Sequence, residues 1–294
     1  MYAKEQFDYI MAVYGEGEAV KVTGTSKGIL SDGSKDNFYR VKHYGRDVYI
    51  PSSMLTQKKP EWIYSVKSSF LKLHLEEGAK LYLQPAYKSR RIPSPSAIVL
   101  YTLGETNYWY KVFCEGKVCF IRKTDLAILS VSETKFPELK FQGLKSKEMK
   151  NVRSRVFYGL SMLPQTARDA LAEKNLVITV CRELPRTEFE DAGASGYANS
   201  SGTVYLKELD EAKTPYIVES SLIHELGHLL NYEYEKNVLP SCFAEKKELG
   251  LREYYASDRE YLAETFDYYI KVPEHLKEYA PKTYSMYEER FGRK

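Results

Sequence analysis

Residues 224–228 read His-Glu-Leu-Gly-His, inside a run that is apolar at Val218, Leu222, Leu226, Leu229 and Leu230. The apolar spacing is helical, so His224 and His228 project from one face and Glu225 stands beside them. Neutral imidazoles are good zinc donors, and a helix presents both at once. A catalytic zinc then takes a third protein ligand and keeps one position open for water. A carboxylate beside such a ligand can take that water's proton, so the pentapeptide points to metal-assisted hydrolysis with Zn2+ as cofactor. The other histidines, His43, His74 and His275, have no comparable neighbours and read as surface or hydrogen-bonded residues.

The third ligand has to come from elsewhere. A Gly at 231 and a His at 234 would complete a three-histidine site, but the chain has Asn231 and Tyr234. A later stretch, Arg259-Glu-Tyr-Leu-Ala-Glu-Thr-Phe-Asp267, supplies Glu260 and Glu264 on one helical face, with Leu262, Phe266, Tyr269 and Ile270 available to pack inward. One glutamate can ligate zinc while the other holds a ligand histidine through its far ring nitrogen. Ser257-Asp258-Arg259-Glu260 also fits a capping box, which would turn Glu260 back onto its own helix and leave Glu264 as the ligand.

Stepping upstream, Gly193–Gly202 reads as a loop and Thr203–Lys207 as an edge strand, able to take an extended peptide or to form a plain surface hairpin. The first half is organised by a repeat. Phe38-Tyr-Arg-Val-Lys-His-Tyr-Gly-Arg-Asp-Val-Tyr-Ile50 recurs as Trp109-Tyr-Lys-Val-Phe-Cys-Glu-Gly-Lys-Val-Cys-Phe-Ile121, each copy a strand, a Gly-containing turn and a strand. Short β-rich stretches, Ala19–Thr25 and Ala79–Leu83, precede the copies, and Val131–Leu144 reads as a connection. Two small barrels, residues 8–58 and 66–130, would bury the alternating faces.

The chain has 294 residues, 43% of them hydrophobic and 28% charged, which excludes wholesale disorder and predicts two or three compact units. No apolar stretch is long enough for a membrane span, and the first residues carry neither the basic nor the apolar segment of a signal peptide. Residues 1–131 carry 19 Lys+Arg against 13 Asp+Glu and the remainder 24 against 27, so the halves have different surfaces. Without an Arg-rich stripe or a reading motif, nucleic acid is not an expected partner. If Gly116-Lys117 is a two-residue turn, Cys114 and Cys119 face each other closely enough for a disulfide; reduced thiols on a half-buried face are the alternative. Cys181 and Cys242 read as ordinary buried thiols.

Taken in order, His-Glu-Leu-Gly-His-Leu-Leu, Glu260-Tyr-Leu-Ala-Glu-Thr-Phe and Ala280-Pro-Lys-Thr-Tyr resemble the catalytic domain of anthrax lethal factor and its relatives, including the clostridial Pro-Pro endopeptidases. The resemblance covers residues 145–294. It implies that His224, His228 and Glu260 bind zinc, that Glu225 is the catalytic base and that Glu264 supports a ligand histidine. It also implies a tyrosine upstream of Glu260 that stabilises the tetrahedral oxyanion. The usual spacing falls on Glu253, so a shortened loop is needed to bring in Tyr255 or, second, Tyr254.

The first 130 residues resemble tandem bacterial SH3-like domains, which implies binding to cell-wall peptide, another extracellular polymer or a protein partner, or a spacer role. The expectation is thus an α+β chain, two SH3-like β-barrels followed by a mixed α/β zincin-like metallopeptidase domain, acting on protein or peptide substrates in a secreted or cell-surface setting. The rival expectations are a cell-wall peptide amidase and an adhesin-like binding protein with an inactive peptidase domain.

Overall fold

The computed structural model describes all residues except 1–13, 16, 30–33, 44–45, 57–63, 68, 94–96, 115, 134–135, 186–194, 208–216, 233–239, 252–256 and 293–294. The chain is a mixed α+β protein that divides into two compact units, residues 1–134 with 145–162 and residues 135–144 with 163–294.

In the first unit, β1 (Val22–Ile29), β2 (Lys35–His43) and β3 (Arg46–Pro51) form an antiparallel sheet in that order. β4 (Leu71–Leu75), β5 (Lys80–Tyr82), β6 (Arg91–Pro93), β7 (Ile98–Glu105), β8 (Trp109–Cys114), β9 (Lys117–Arg122) and β10 (Ile128–Glu133) form a second, ordered β10-β4-β7-β8-β9-β5-β6. The sequence repeat is also a repeat of register. Tyr39 pairs Ile50 and Val41 pairs Val48; 71 residues on, Tyr110 pairs Ile121 and Val112 pairs Cys119. In both copies the central pair is buried because it lies on the face packed inward.

Two expectations change here, those of closed barrels and of facing cysteines. Among the described residues no pairing joins β10 to β6 or β1 to β3, so the sheets are open and not closed barrels. The regions 8–58 and 66–130 belong to one compact unit, tied in part by Lys111, whose buried ammonium sits 2.7 Å from Glu18. Cys114 pairs with Lys117, so the two-residue connection is 115–116, with Gly116 at φ 73°, where a side chain would be strained. That register puts Cys119 opposite Val112 and not opposite Cys114, and all four cysteines are buried thiols with no disulfide.

The expected connection 131–144 is largely strand: β10 ends at Glu133 and β11 (Glu138–Gln142) opens the second unit's sheet. The helix that follows, α1 (Ser146–Met162), packs with the first unit, against β7 and β8, where Phe157 stacks on Phe70 and Tyr158 meets Phe113. By packing, α1 groups with residues 1–134, while residues 135–144 group with 163–294.

In the second unit, β11, β12 (Val177–Cys181) and β14 (Thr203–Lys207) run parallel, and β13 (Gly196–Ala198) adds antiparallel to β14, in the order β11-β12-β14-β13. The edge is thus β13, not 203–207, because the hairpin folds 196–198 onto the outside of β14. The helices are α2 (Gln165–Glu173), α3 (Ile217–Asn231), α4 (Pro240–Phe243), α5 (Asp258–Lys271), α6 (Pro273–Tyr279) and α7 (Pro281–Phe291). α3 lies against β13 and β14 and against α5, burying Leu222, Ile223, Leu226, Leu229 and Leu230. Among the described residues no helix is long and apolar enough to cross a membrane.

Candidate metal centre

Two helices carry the site, and their crossing is set by small residues. A Cβ at Gly227 would lie 3.0 Å from both the Cα and the carbonyl oxygen of Ala263, so glycine lets α3 and α5 approach backbone to backbone. α5 starts at Ser257, whose side chain accepts the Glu260 N–H at 3.3 Å, and Asp258 and Glu260 place acidic groups at its positive end. The end of α3 is held by Arg290, which donates to Asn231 Oδ1 at 2.6 Å and to the Leu230 carbonyl at 2.9 Å. Behind α5, Tyr287 donates to the Leu262 carbonyl at 2.6 Å, and Glu245 accepts from the Lys282 N–H, the Thr283 N–H and the Thr283 hydroxyl, capping α7.

This packing brings four of the expected residues together. Glu260 Oε2 lies 3.2 Å from His224 Nε2 and Glu260 Oε1 lies 3.5 Å from His228 Nε2. Glu264 Oε2 lies 3.1 Å from His224 Nδ1, on the far side of the ring. Half of the capping box forms, since Ser257 caps Glu260, but the Glu260 carboxylate turns to the histidines. One donor atom each from His224, His228 and Glu260 lies within 4.8 Å of the other two, a group that could hold a metal ion. Ligands about 2.0–2.1 Å from a tetrahedral zinc stand about 3.3 Å apart, so the His–Glu separations suit that ion.

The electrostatics have the same origin. Burial pulls the His224 imidazolium down, yet its hydrogen bonds with Glu260 and Glu264 and the charge of Glu225 outweigh burial and hold its pKa up at about 10. Burial pushes the Glu260 carboxyl up, but hydrogen bonds to both histidines win and keep it well below the usual carboxylate range. His228 is lowered, chiefly by burial. Burial raises Glu225 to about 7, opposed by His224 and reinforced by Glu260. Glu225 accepts a hydrogen bond from the Ala198 N–H, while its Oε2 is buried and has no hydrogen-bond partner among the described residues. Chemically this is a donor trio with a separate carboxylate beside it, held by one oxygen and open at the other.

Tyr254 and Tyr255 lie outside the described residues, as do the first two residues of the expected loop 193–202, whose remainder contains β13. What sequence spacing missed is the contribution of backbone. Ala198 enters through its N–H, and Gly227 through the atoms it lacks. The Gly in His-Glu-Leu-Gly-His was the available signal, since glycine inside an apolar helix costs about 1 kcal/mol relative to alanine and marks a close approach.

No protein-family model and no curated protein matches the chain. A solved structure, the PRO-PRO endopeptidase PPEP-2 from Paenibacillus alvei, is similar to it at 19% identity and a TM-score of 0.36, covering 50% of this chain and 93% of that chain.

Proposed function

We propose that the protein is a zinc-dependent endopeptidase. The observation that carries this reading is the convergence of His224, His228 and Glu260 beside a carboxylate, Glu225, that is not needed to hold the ion and keeps one oxygen unpartnered among the described residues. Bound by those three side chains, zinc supplies Lewis acidity that polarises the scissile carbonyl and acidifies a water. Glu225 takes the proton of the attacking water and passes it to the leaving nitrogen as the C–N bond breaks. Glu264 holds His224 through Nδ1 and so fixes which ring nitrogen faces the ion. Tyr255, with Tyr254 as the second candidate, donates its hydroxyl to the developing oxyanion.

The substrate is a peptide segment in extended conformation, taken up along β13. Asn199 N–H bonds to the Thr203 carbonyl and Lys207 N–H to the Ser195 carbonyl, so the alternate residues Gly196 and Ala198 point their backbone groups away from β14. The Ala198 N–H is taken by Glu225, and the other outward backbone groups of this edge are a template for strand addition. The first unit serves as a targeting or spacing module for a cell wall or another extracellular polymer, which fits a secreted or surface setting.

The test is incubation of zinc-loaded protein with an unfolded protein, a diverse peptide library and isolated peptidoglycan. Cleavage inside peptide chains supports the proposal. Release of wall peptides alone would make the protein an amidase, and inertness toward all three would leave a binding protein.

A further inference from the structure

β13 is only three residues long, yet α3 fastens it at two points. The Ser195 and Ser221 hydroxyls lie 2.6 Å apart, and one turn along α3 from Ser221 the Glu225 carboxylate meets the Ala198 N–H. Between these two points lies Gly196. A Cβ there would stand 2.9 Å from the Tyr205 carbonyl oxygen, 3.1 Å from Glu225 Oε1 and 3.1 Å from Leu206 Cδ2. The carbonyl belongs to the strand backbone and cannot swing aside, so a side chain at 196 has to move either the strand or the carboxylate. On the opposite face Tyr197 and Tyr205 stack at 4.7 Å between ring centroids, a cross-strand pair that opposes a slip in register. A slip of one residue would turn Tyr197 toward Glu225.

We propose that Ser195, Gly196 and Ser221 are positioning residues for Glu225, holding β13 on α3 so that the Ala198 N–H fixes one carboxylate oxygen and leaves the other to the reacting water. The assignment rests on the reading of Glu225 as the base of a hydrolytic site. None of the three residues touches the metal group or the scissile bond. Their effect passes through the angle at which Glu225 is presented, and a misplacement of about 1 Å in such a group costs on the order of a hundredfold in rate.

The test compares wild type with Gly196→Ala, Ser221→Ala and Ser221→Thr, all zinc-loaded and checked for equal zinc content. Gly196→Ala is expected to lose roughly 30- to 100-fold in kcat with KM within about twofold, because the defect lies in the chemical step. Ser221→Ala adds no volume and should lose roughly 3- to 10-fold, with Ser221→Thr, which keeps the hydroxyl, restoring most of it. A second readout needs no activity. In metal-free protein the Ala198 amide should exchange with solvent deuterium at least about tenfold faster in Gly196→Ala and in Glu225→Ala than in wild type, since its acceptor is displaced or gone. A rise in KM with kcat intact would mean that Gly196 makes room for substrate, and it would overturn the assignment. So would unchanged Ala198 exchange in both variants. An active wild type with an equally active Gly196→Ala defeats this inference alone, whereas an inert zinc-loaded wild type defeats the peptidase reading and this inference with it.

Discussion

A half-buried imidazole between two carboxylates holds its proton firmly, and a metal bound there would have to replace it. His224 donates toward Glu260 and Glu264 at 3.2 and 3.1 Å, and those bonds hold its pKa at about 10 against burial. Zinc binding at neutral pH must therefore release about one proton, and affinity should tighten about tenfold per pH unit between roughly pH 6 and 8. Calorimetry in buffers of different ionisation enthalpy measures both; pH-independent affinity with no proton release would contradict the site. The same groups set the stability of the metal-free protein. His224 is raised, so its contribution is complete below its unfolded value of 6.5 and is lost as pH rises toward about 10. Glu260 is depressed, so its contribution is present above 4.5 and is lost as pH falls below it. The metal-free Tm should thus decline from about pH 6 to pH 9, while the shift produced by a fixed excess of zinc grows. Glu260→Ala should abolish tight binding, whereas Glu264→Ala, acting through a histidine, should cost roughly 10- to 100-fold in affinity. The types and spacing of His224, His228, Glu260 and Glu264 were legible in the sequence because helical periodicity alone decides which side chains share a face. Whether the Glu260 carboxylate turns back to its own helix or toward the histidines was not, because it depends on where α3 lies.

At the scale of elements, the site is a matter of how closely α3 and α5 can cross. Gly227 stands at the crossing, 3.0 Å from Ala263 backbone if given a Cβ. Gly227→Val should push the helices apart and weaken zinc binding by at least about tenfold even where the fold survives; overpacking of this kind costs about 1–3 kcal/mol. Zinc titration alongside circular dichroism separates loss of the site from loss of the fold. Glu245 has a different task, capping α7 with three accepted hydrogen bonds while being 8% exposed. Glu245→Ala should cost about 2–3 kcal/mol, read by urea unfolding, since it strands buried donors at a helix start. The Ala280-Pro-Lys-Thr-Tyr motif was visible, and Pro281 marks the helix start. Its partner was not, because Glu245 is distant in sequence and nothing in its local pattern separates it from a surface glutamate. Similarly, alternating apolar residues identified 203–207 as strand, but position within a sheet is a tertiary property, and β13 took the edge.

For the whole molecule, the repeat in the first half proved to be a repeat of hairpin register, since a fixed spacing of Val and aromatic residues fixes both pairing and face. Closure of those hairpins into barrels was not legible, because it depends on the remaining strands. Which unit α1 packs with was not legible for a related reason: α1 is amphipathic whichever unit it covers, and Val152, Val156, Phe157 and Leu160 are buried in the unit formed by residues 1–134 with 145–162. A fragment beginning near Val131 keeps α1 but removes β7 and β8 beneath it. It should aggregate or bind a hydrophobic dye, and it should be rescued by polar substitution of Val152 and Phe157; a monodisperse, dye-negative fragment would contradict the division. The full chain is therefore the right material for the central test, which measures zinc content and peptide hydrolysis in the same preparations of wild type and Glu225→Gln. The account predicts about one zinc per chain in both, and a loss of at least about a thousandfold in kcat for the variant with little change in KM. Equal hydrolysis by the two proteins at equal zinc content would contradict it.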